Sequence, residues 1–583
     1  MNVRGGAASR ETREREAAQR LGLAYQPLED RRLHPGLSPE HHLAAARNGA
    51  LATVASAAGS VLAVSPATAG EARLADQLRI APASRDRIIA TSADELTGLY
   101  LRDSHADIPG AAIRFLRDGH PGMSASPTIG VLQALGLLAT LAGIAAAAFF
   151  HPYDTAGWAA LVLSLVFLST TGLRLAALAA PAPGSQPWIE LSDEHLPVYS
   201  ILVPLYREAN IVHELFEALE DLDYPAARLD IKILLEADDI ATRAAVDALN
   251  LPDHYSILAL PDIGPRTKPK ALNIGLALAR GNLICVFDAE DRPDADQLRQ
   301  AAGAFAIAPA DYACLQARLA YRNWNQSWLT RQFAIEYAAQ FDVMVPVICW
   351  LGLPLPLGGT SNHFRTALLR DAGGWDAYNV TEDADLGVRL ARLGYRVGVI
   401  DSTTFEEAPA RLQAWVKQRT RWMKGWMQTL LVHTRNPFSL IAELGTFGMF
   451  GFVATVIANL ASAVIHPAAI GLIVWQASSG AFFSGDNILA AAVAALASAN
   501  LVFGYVIALA SAAFGLFRRP MPGLSLHLIL TPFYWLLSAL AFILALIDLI
   551  RRPYFWAKTE HGIAKRDAPV QLRRKRPARR RHK

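Results

Sequence analysis

Three times in this chain an apolar run stops at acids. Ile231–Leu235 ends in Glu236-Ala237-Asp238-Asp239, and Asn282–Phe287 ends in Asp288-Ala289-Glu290-Asp291. Val198–Val203 passes through Pro204 into Leu205-Tyr206-Arg207-Glu208. Runs of this composition read as buried β-strands, and in an open α/β sheet a ligand sits beyond their carboxyl ends. Two carboxylates one residue apart, Asp288 and Glu290, are costly in a cleft unless a cation or hydrogen-bond donors neutralise them. A divalent ion, Mg2+ or Mn2+, does so when it bridges such carboxylates to a diphosphate. Just upstream, Thr267-Lys268-Pro269-Lys270-Ala271-Leu272-Asn273 opens a helix and supplies Lys268 and Lys270 near the same phosphates. The plainer alternative is a solvated loop with a helix cap at Asp291 or Asp294.

Further along, Thr381-Glu382-Asp383 begins an amphipathic helix over Ala384–Leu393, so its acids lie at the positive end of a helix dipole. Alone this is an ordinary cap with acids in the first turn. Gly358-Gly359-Thr360 precedes Ser361–Arg365, and the glycines allow a close backbone approach. His363 reads as a packed, hydrogen-bonded histidine and Trp350 as an aromatic plug. In the helical stretch Leu412–Val432, Gln418, Arg421 and Trp422 share one face. The same stretch carries further Trp, Lys and Arg residues and equally describes an amphipathic helix at a membrane surface.

The elements that position these residues are set by length and composition. A chain of 583 residues is too long for one core, and 52% hydrophobic against 18% charged residues exceeds a typical soluble domain. The excess lies in runs long enough to cross a bilayer, Ile129–Phe150 and Ala156–Ala179, then Phe447–Trp475, Ile488–Phe517 and Leu524–Ile550. Splitting the third near His466-Pro467 gives about four helices after the polar α/β stretch. The predicted division is a small N-terminal α/β domain over 1–127, two transmembrane helices over 128–181, an α/β domain over 182–436, a helical bundle over 437–551 and a basic tail over 552–583. The last thirteen residues carry eight Lys or Arg and no acid, leaving about −5 for the rest of a chain of net charge +3. Beside hydrophobic spans that tail reads as a contact with anionic lipid rather than nucleic acid. Cys285, Cys314 and Cys349 lack the close pairing of a zinc or redox site and read as buried thiols.

Taken in order, Pro204–Glu208, Glu236–Asp238, Lys268–Asn273, Asp288–Glu290, Thr381–Asp383 and Gln418-Arg419-Thr420-Arg421-Trp422 resemble the family 2 glycosyltransferases that make cellulose, chitin and hyaluronan. The resemblance implies a GT-A-type, Rossmann-like catalytic domain inserted between transmembrane helices. It implies that Tyr206 and Glu208 hold the nucleobase of a UDP-type sugar donor with Glu236 or Asp238, and that Asp288 and Glu290 hold the metal. Glu290 stands where the family usually has Asp, and Glu236 where an Asp pair is common. By the same resemblance Asp383 is the general base, Arg421 meets the diphosphate, and Trp422, with Gly359 and Thr360, faces a glycan acceptor. The implied product is a β-linked polysaccharide secreted through the protein's own helices, with UDP-glucose the first donor to test.

Arg20-Leu21-Gly22-Leu23 with Leu51–Pro66 loosely resembles the N-terminal domain of type II secretion ATPases, some relatives of which bind cyclic di-GMP. That leaves two roles open for the N-terminal domain, a regulatory one through this nucleotide and a scaffolding one. The placement expected is the inner membrane, with the catalytic domain cytoplasmic and in contact with lipid. Two other readings compete: transfer of one sugar to a lipid carrier or protein, and a non-catalytic receptor.

Overall fold

The computed structural model describes residues 10–558 apart from 57–58, 105, 180–186, 250 and 480–487; the basic tail lies outside the described residues. At the N-terminus, β1 (Ala24–Tyr25), β2 (Leu51–Ser56), β3 (Gly59–Val64) and β4 (Ile88–Ala90) form a sheet in the order β1-β4-β3-β2. The alternating run predicted around residue 50 is the antiparallel β2–β3 hairpin. This small α/β domain docks on the catalytic one through backbone carbonyls. Asn273 Nδ2 donates to the Ala112 carbonyl at 3.2 Å and Arg47 Nε to that of Ala277 at 2.7 Å.

Helices α1 (Val131–Phe150) and α2 (Pro152–Ala179) follow, each long and apolar enough to span a bilayer. The chain then enters an eight-stranded mixed sheet. Its strands are β5 (Tyr199–Leu205), β6 (Leu229–Glu236), β7 (Tyr255–Leu260), β8 (Leu283–Val286), β9 (Arg292–Pro293), β10 (Tyr312–Tyr321), β11 (Asn362–Arg365) and β12 (Arg396–Glu406). The order is β7-β6-β5-β8-β11-β10-β12-β9, with β7, β6, β5 and β8 parallel and β11 antiparallel to both neighbours. This is a GT-A-like sheet. Four parallel strands bring their carboxyl ends, and the acids that follow them, to one edge. Burial on both faces of β5, β6 and β8 explains why those strands are mostly apolar rather than alternating.

Five helices matter for what sits at that edge. They are α3 (Lys268–Leu278), α4 (Trp328–Trp350, with one π-helical turn at Gln340–Met344), α5 (Glu382–Arg392), α6 (Leu412–His433) and α7. Helix α7 runs through Pro437–Phe452, a π-turn at Val453–Ile457 and Ala458–Ser479. Within Pro437–Phe452 the helix is kinked at Gly445, which is non-helical at φ 65°. Helices α8 (Ile488–Arg518) and α9 (Thr531–Arg551) complete the set.

Three long apolar helices therefore follow the catalytic domain among the described residues, where about four were expected. The split foreseen at His466-Pro467 does not occur: the helix continues through Pro467, whose ring costs it one hydrogen bond but does not end it. The sixth helix with enough length and apolarity to span is α4, and it is mostly buried against the protein.

Helix α9 is long and apolar enough to span a bilayer, as predicted, and both its ends meet the α/β domain. Its first turn meets catalytic-domain residues: Thr531 Oγ1 bonds Gln332 at 3.0 Å and Trp415 Nε1 donates to Tyr534 at 3.1 Å. Its last turn meets another, where Lys424 Nζ lies 2.6 Å from Asp548. Beyond it, Lys558 Nζ reaches Glu208 at 2.7 Å. A helix about 31 Å long with both ends on one domain lies along that domain rather than leading away from it. Hydropathy registers only the length and apolarity of α9. In sealed vesicles, tags placed before Arg10 and after Lys558 should be labelled from the same side; labelling from opposite sides would show that α9 crosses.

Candidate functional site

One cavity of about 990 Å3 collects most of the residues singled out in the sequence. Tyr206, Glu208, Glu236, Lys268, Asp288, Glu290, Gly359 and Thr360 line it, as do Thr381, Glu382, Asp383, Gln418, Arg421 and Trp422. It sits at the carboxyl ends of β5, β6 and β8 and continues onto α2 and α7.

At its centre Lys268 Nζ lies 2.6 Å from Asp288 Oδ1 and donates to the Gly359 carbonyl at 2.8 Å. Burial works against the Lys268 charge, but Asp288, Asp383 and Glu382 outweigh it and raise its pKa, so the ammonium stays charged. The acids outnumber Lys268 and Arg421, the two cations that act on them. Burial pushes Asp383 well above the ordinary carboxylate range, and the neighbouring Glu382 and Asp288 add to it while Lys268 opposes. Asp291 rises for the same reasons, burial first and then Asp288 and Glu290; Glu406 rises through burial, Asp291, Glu290 and Asp288.

Asp383 is held from three directions. Trp375 Nε1 donates to its Oδ1 at 3.3 Å, and Trp375 itself is fully buried. A Cβ on Gly359 would stand 3.9 Å from Asp383 Oδ2, so glycine keeps the space beside the carboxylate open. Gly425 of α6 packs so tightly against Thr381 that a Cβ there would come within 1.9 Å of Oγ1. Thr381 caps α5 by position only; its buried hydroxyl makes no hydrogen bond among the described residues.

The residues fit a divalent cation. Asp291 Oδ1 and Glu406 Oε1 are buried without a hydrogen-bond partner among the described residues, beside Asp288 and Glu290. No group of three or more His, Cys or acidic residues forms a ready cage among the described residues. Mg2+ in particular is commonly held by one or two carboxylates with the rest of its shell from phosphate and water, and Asp288 with Glu290 match that donor set.

Several predicted residues fall differently from expectation. Lys270 is fully buried and bonds Glu236 at 2.8 Å, away from the cavity, because residues two apart on a helix face opposite ways. Asp238 pairs with Arg266 at 2.9 Å and does not line the cavity: β6 ends at Glu236, so strand alternation no longer carries Asp238 to the same face. The Thr360 hydroxyl lies within hydrogen-bond distance of both the Val286 carbonyl (3.0 Å) and Asp291, which makes it a lock on the acidic loop. Trp350 is 54% exposed and outside the cavity, so it plugs nothing there. His363 is packed as expected, 2.6 Å from the Tyr199 hydroxyl, and burial pulls its pKa down to about 3. The three cysteines are buried thiols.

Other wall residues escaped the sequence. Arg421 stands over the Trp556 ring at 5.7 Å, and Tyr554, Phe555, Trp556 and Lys558 close one side of the cavity. That strap falls within the predicted tail, although its aromatics Tyr554, Phe555 and Trp556 set it apart from the basic run beyond. Arg419 bonds Glu336 bidentately and lies 4.5 Å from Phe333 and 4.8 Å from Trp422, fixing the Trp422 ring. Within Gln418–Trp422, Arg419 is the packing cation and Arg421 the one facing the cavity.

The chain matches "Glycosyl transferase family group 2" over residues 283–551 and "Glycosyl transferase family 2" over 200–364. It is 29% identical over 283 residues to the beta-monoglucosyldiacylglycerol synthase of Synechocystis, covering 46% of this chain and 57% of that protein. It is 27% identical over 256 residues to glucomannan 4-beta-mannosyltransferase 1 of Oryza sativa, covering 42% and 48%. The chain thus spans about half the length of these curated relatives. A mannosyltransferase from Pyrobaculum calidifontis, solved with GDP-Man and Mn2+, aligns over 68% of this chain and 98% of its own at 19% identity and TM-score 0.39.

Two measurements probe the geometry around Asp383. Glu382→Gln removes a negative neighbour, so Asp383 ionises at lower pH, and the acid limb of the pH–rate profile should move down; an upward shift would contradict the electrostatics. Gly425→Ala should displace Thr381 and the start of α5, lowering kcat about 10-fold or more with donor KM little changed.

Proposed function

Because this chain is a family 2 glycosyltransferase, we propose that it transfers a sugar from a nucleotide-sugar donor, with inversion, to an acceptor hydroxyl at the membrane face. The observation that carries this reading is one cavity holding Asp383, the Lys268–Asp288 pair and residues of α2 and α7.

In the proposed reaction the nucleobase lies by Tyr206 and Glu208 and the diphosphate near Lys268 and Arg421. Asp288 and Glu290 would hold Mg2+ or Mn2+, which when bound stabilises negative charge on the departing diphosphate. Asp383 Oδ2, on the side open to Gly359, takes the acceptor hydroxyl proton. The acceptor oxygen forms a bond to the anomeric carbon as the bond from that carbon to the diphosphate oxygen breaks. An α-linked donor gives a β-linked product and a nucleoside diphosphate. The raised pKa of Asp383 makes it a stronger base than an exposed carboxylate once ionised. Trp422, pinned by Arg419, offers a ring to the acceptor.

The acceptor we favour is a growing β-glycan, with UDP-glucose the first donor to test and GDP-mannose the next. The gap between α2 and α7 is the exit such a chain would use. A second reading, one sugar added to a lipid, is favoured by the likeness to the Synechocystis synthase and by the cavity's reach to membrane level. Gel sizing of labelled product separates long polymer from single adduct.

Asp383→Asn should lower transfer by ~10²-fold or more while nucleotide binding, read by calorimetry, stays within a few-fold. Retained turnover would remove Asp383 from the role of base.

A further inference from the structure

The membrane-side half of the cavity has its own chemistry. From α2, Phe167, Thr170 and Arg174 line it at the spacing of one helix face; from α7, which packs on α2, Thr455, Asn459 and Ser462 line the same cavity at the same kind of spacing. The three hydroxyls are satisfied within their own helices: Thr170 donates to the Phe167 carbonyl at 2.9 Å, and Thr455 and Ser462 donate to those of Gly451 and Asn459 at 2.8 Å. Arg174 and the Asn459 carboxamide are not. Among the described residues neither has a hydrogen-bond partner, and no acid acts on Arg174.

A charge inside an apolar helix is costly and is normally paired or turned to a polar path. Arg174 stands five residues before the end of α2, ~7.5 Å along the axis, at about headgroup depth. A planar guanidinium with an amide opposite suits the oxygens of a phosphate.

We propose that Arg174 and Asn459 bind the phosphate of a lipid whose acceptor end reaches Asp383, making this half of the cavity a lipid-phosphate subsite. The inference rests on the sugar-transfer reading above and narrows its acceptor to a phosphate-bearing lipid. A glycan built here grows on that lipid rather than as a free chain. An arginine serving only as a topology signal needs no cavity and no facing Asn459.

The test uses the full chain purified in a phosphate-free maltoside detergent with a panel of labelled nucleotide sugars. Polyprenyl monophosphate, phosphatidic acid, diacylglycerol and a free oligosaccharide are added one at a time. The expected result is transfer to at least one phosphate lipid at ten times or more the rate with diacylglycerol or oligosaccharide. Arg174→Gln should raise KM for that lipid about 10-fold, with kcat at saturating lipid and donor KM retained, and Arg174→Lys should recover much of it. Equal rates with diacylglycerol or oligosaccharide, or an unchanged lipid KM in Arg174→Gln, overturn the subsite. Native mass spectrometry of polyprenyl monophosphate binding separates the two failures. Binding lost in Arg174→Gln without turnover from any donor keeps the subsite and sinks the transfer reading. Binding unaffected by Arg174→Gln sinks the subsite alone.

Discussion

The crowding of buried acids around one lysine is the constraint on which the rest of the molecule depends. Asp288, Glu290, Asp291, Glu382, Asp383 and Glu406 crowd with Lys268 and Arg421 at the carboxyl edge of the sheet, and burial, reinforced by mutual repulsion, raises the pKa of several. Such a site is unfavourable as it stands and becomes favourable when cations and a diphosphate enter together. The surrounding structure holds the acids in place against that repulsion. Thr360 clamps Asp291, Trp375 clamps Asp383, and the contact between Gly425 and Thr381 sets where α5 begins.

The same edge faces the membrane helices. Arg419, bonded to Glu336 of α4 and Tyr534 of α9, ties the catalytic helix α6 to two helices that pack along the domain's apolar side. Lys424 and Lys558 then bring the chain beyond α9 back to the cavity wall, where Lys558 meets Glu208. The residues proposed to hold the donor and those contributed by α2 and α7 are therefore walls of one cavity.

Much of this was legible in the sequence because it depends on local order. Strands that end in acids put Asp288, Glu290 and Glu236 at the sheet edge, and helical spacing put Gln418, Arg421 and Trp422 on one face. The misreadings arise where a residue's direction depends on what comes from elsewhere in the chain. Lys270 turns inward because only one of two residues spaced i, i+2 can face the cavity, and Asp238 leaves the wall because the strand stops two residues earlier. Trp375, Glu406, Arg419 and Lys558 meet the site through long-range packing that no local pattern records. Hydropathy counted the long helices without showing that both ends of α9 meet the α/β domain. The likeness seen at Arg20-Leu21-Gly22 lies outside residues 200–551, where the family matches fall.

The central claim is electrostatic: crowded, buried carboxyl groups hold protons that they give up when Mn2+ and a nucleoside diphosphate bind. Calorimetric titration of both ligands near neutral pH, in two buffers of different ionisation enthalpy, counts those protons directly. The account predicts net proton release on binding, diminished in Asp383→Asn. Binding with no proton release in the wild-type protein would contradict it.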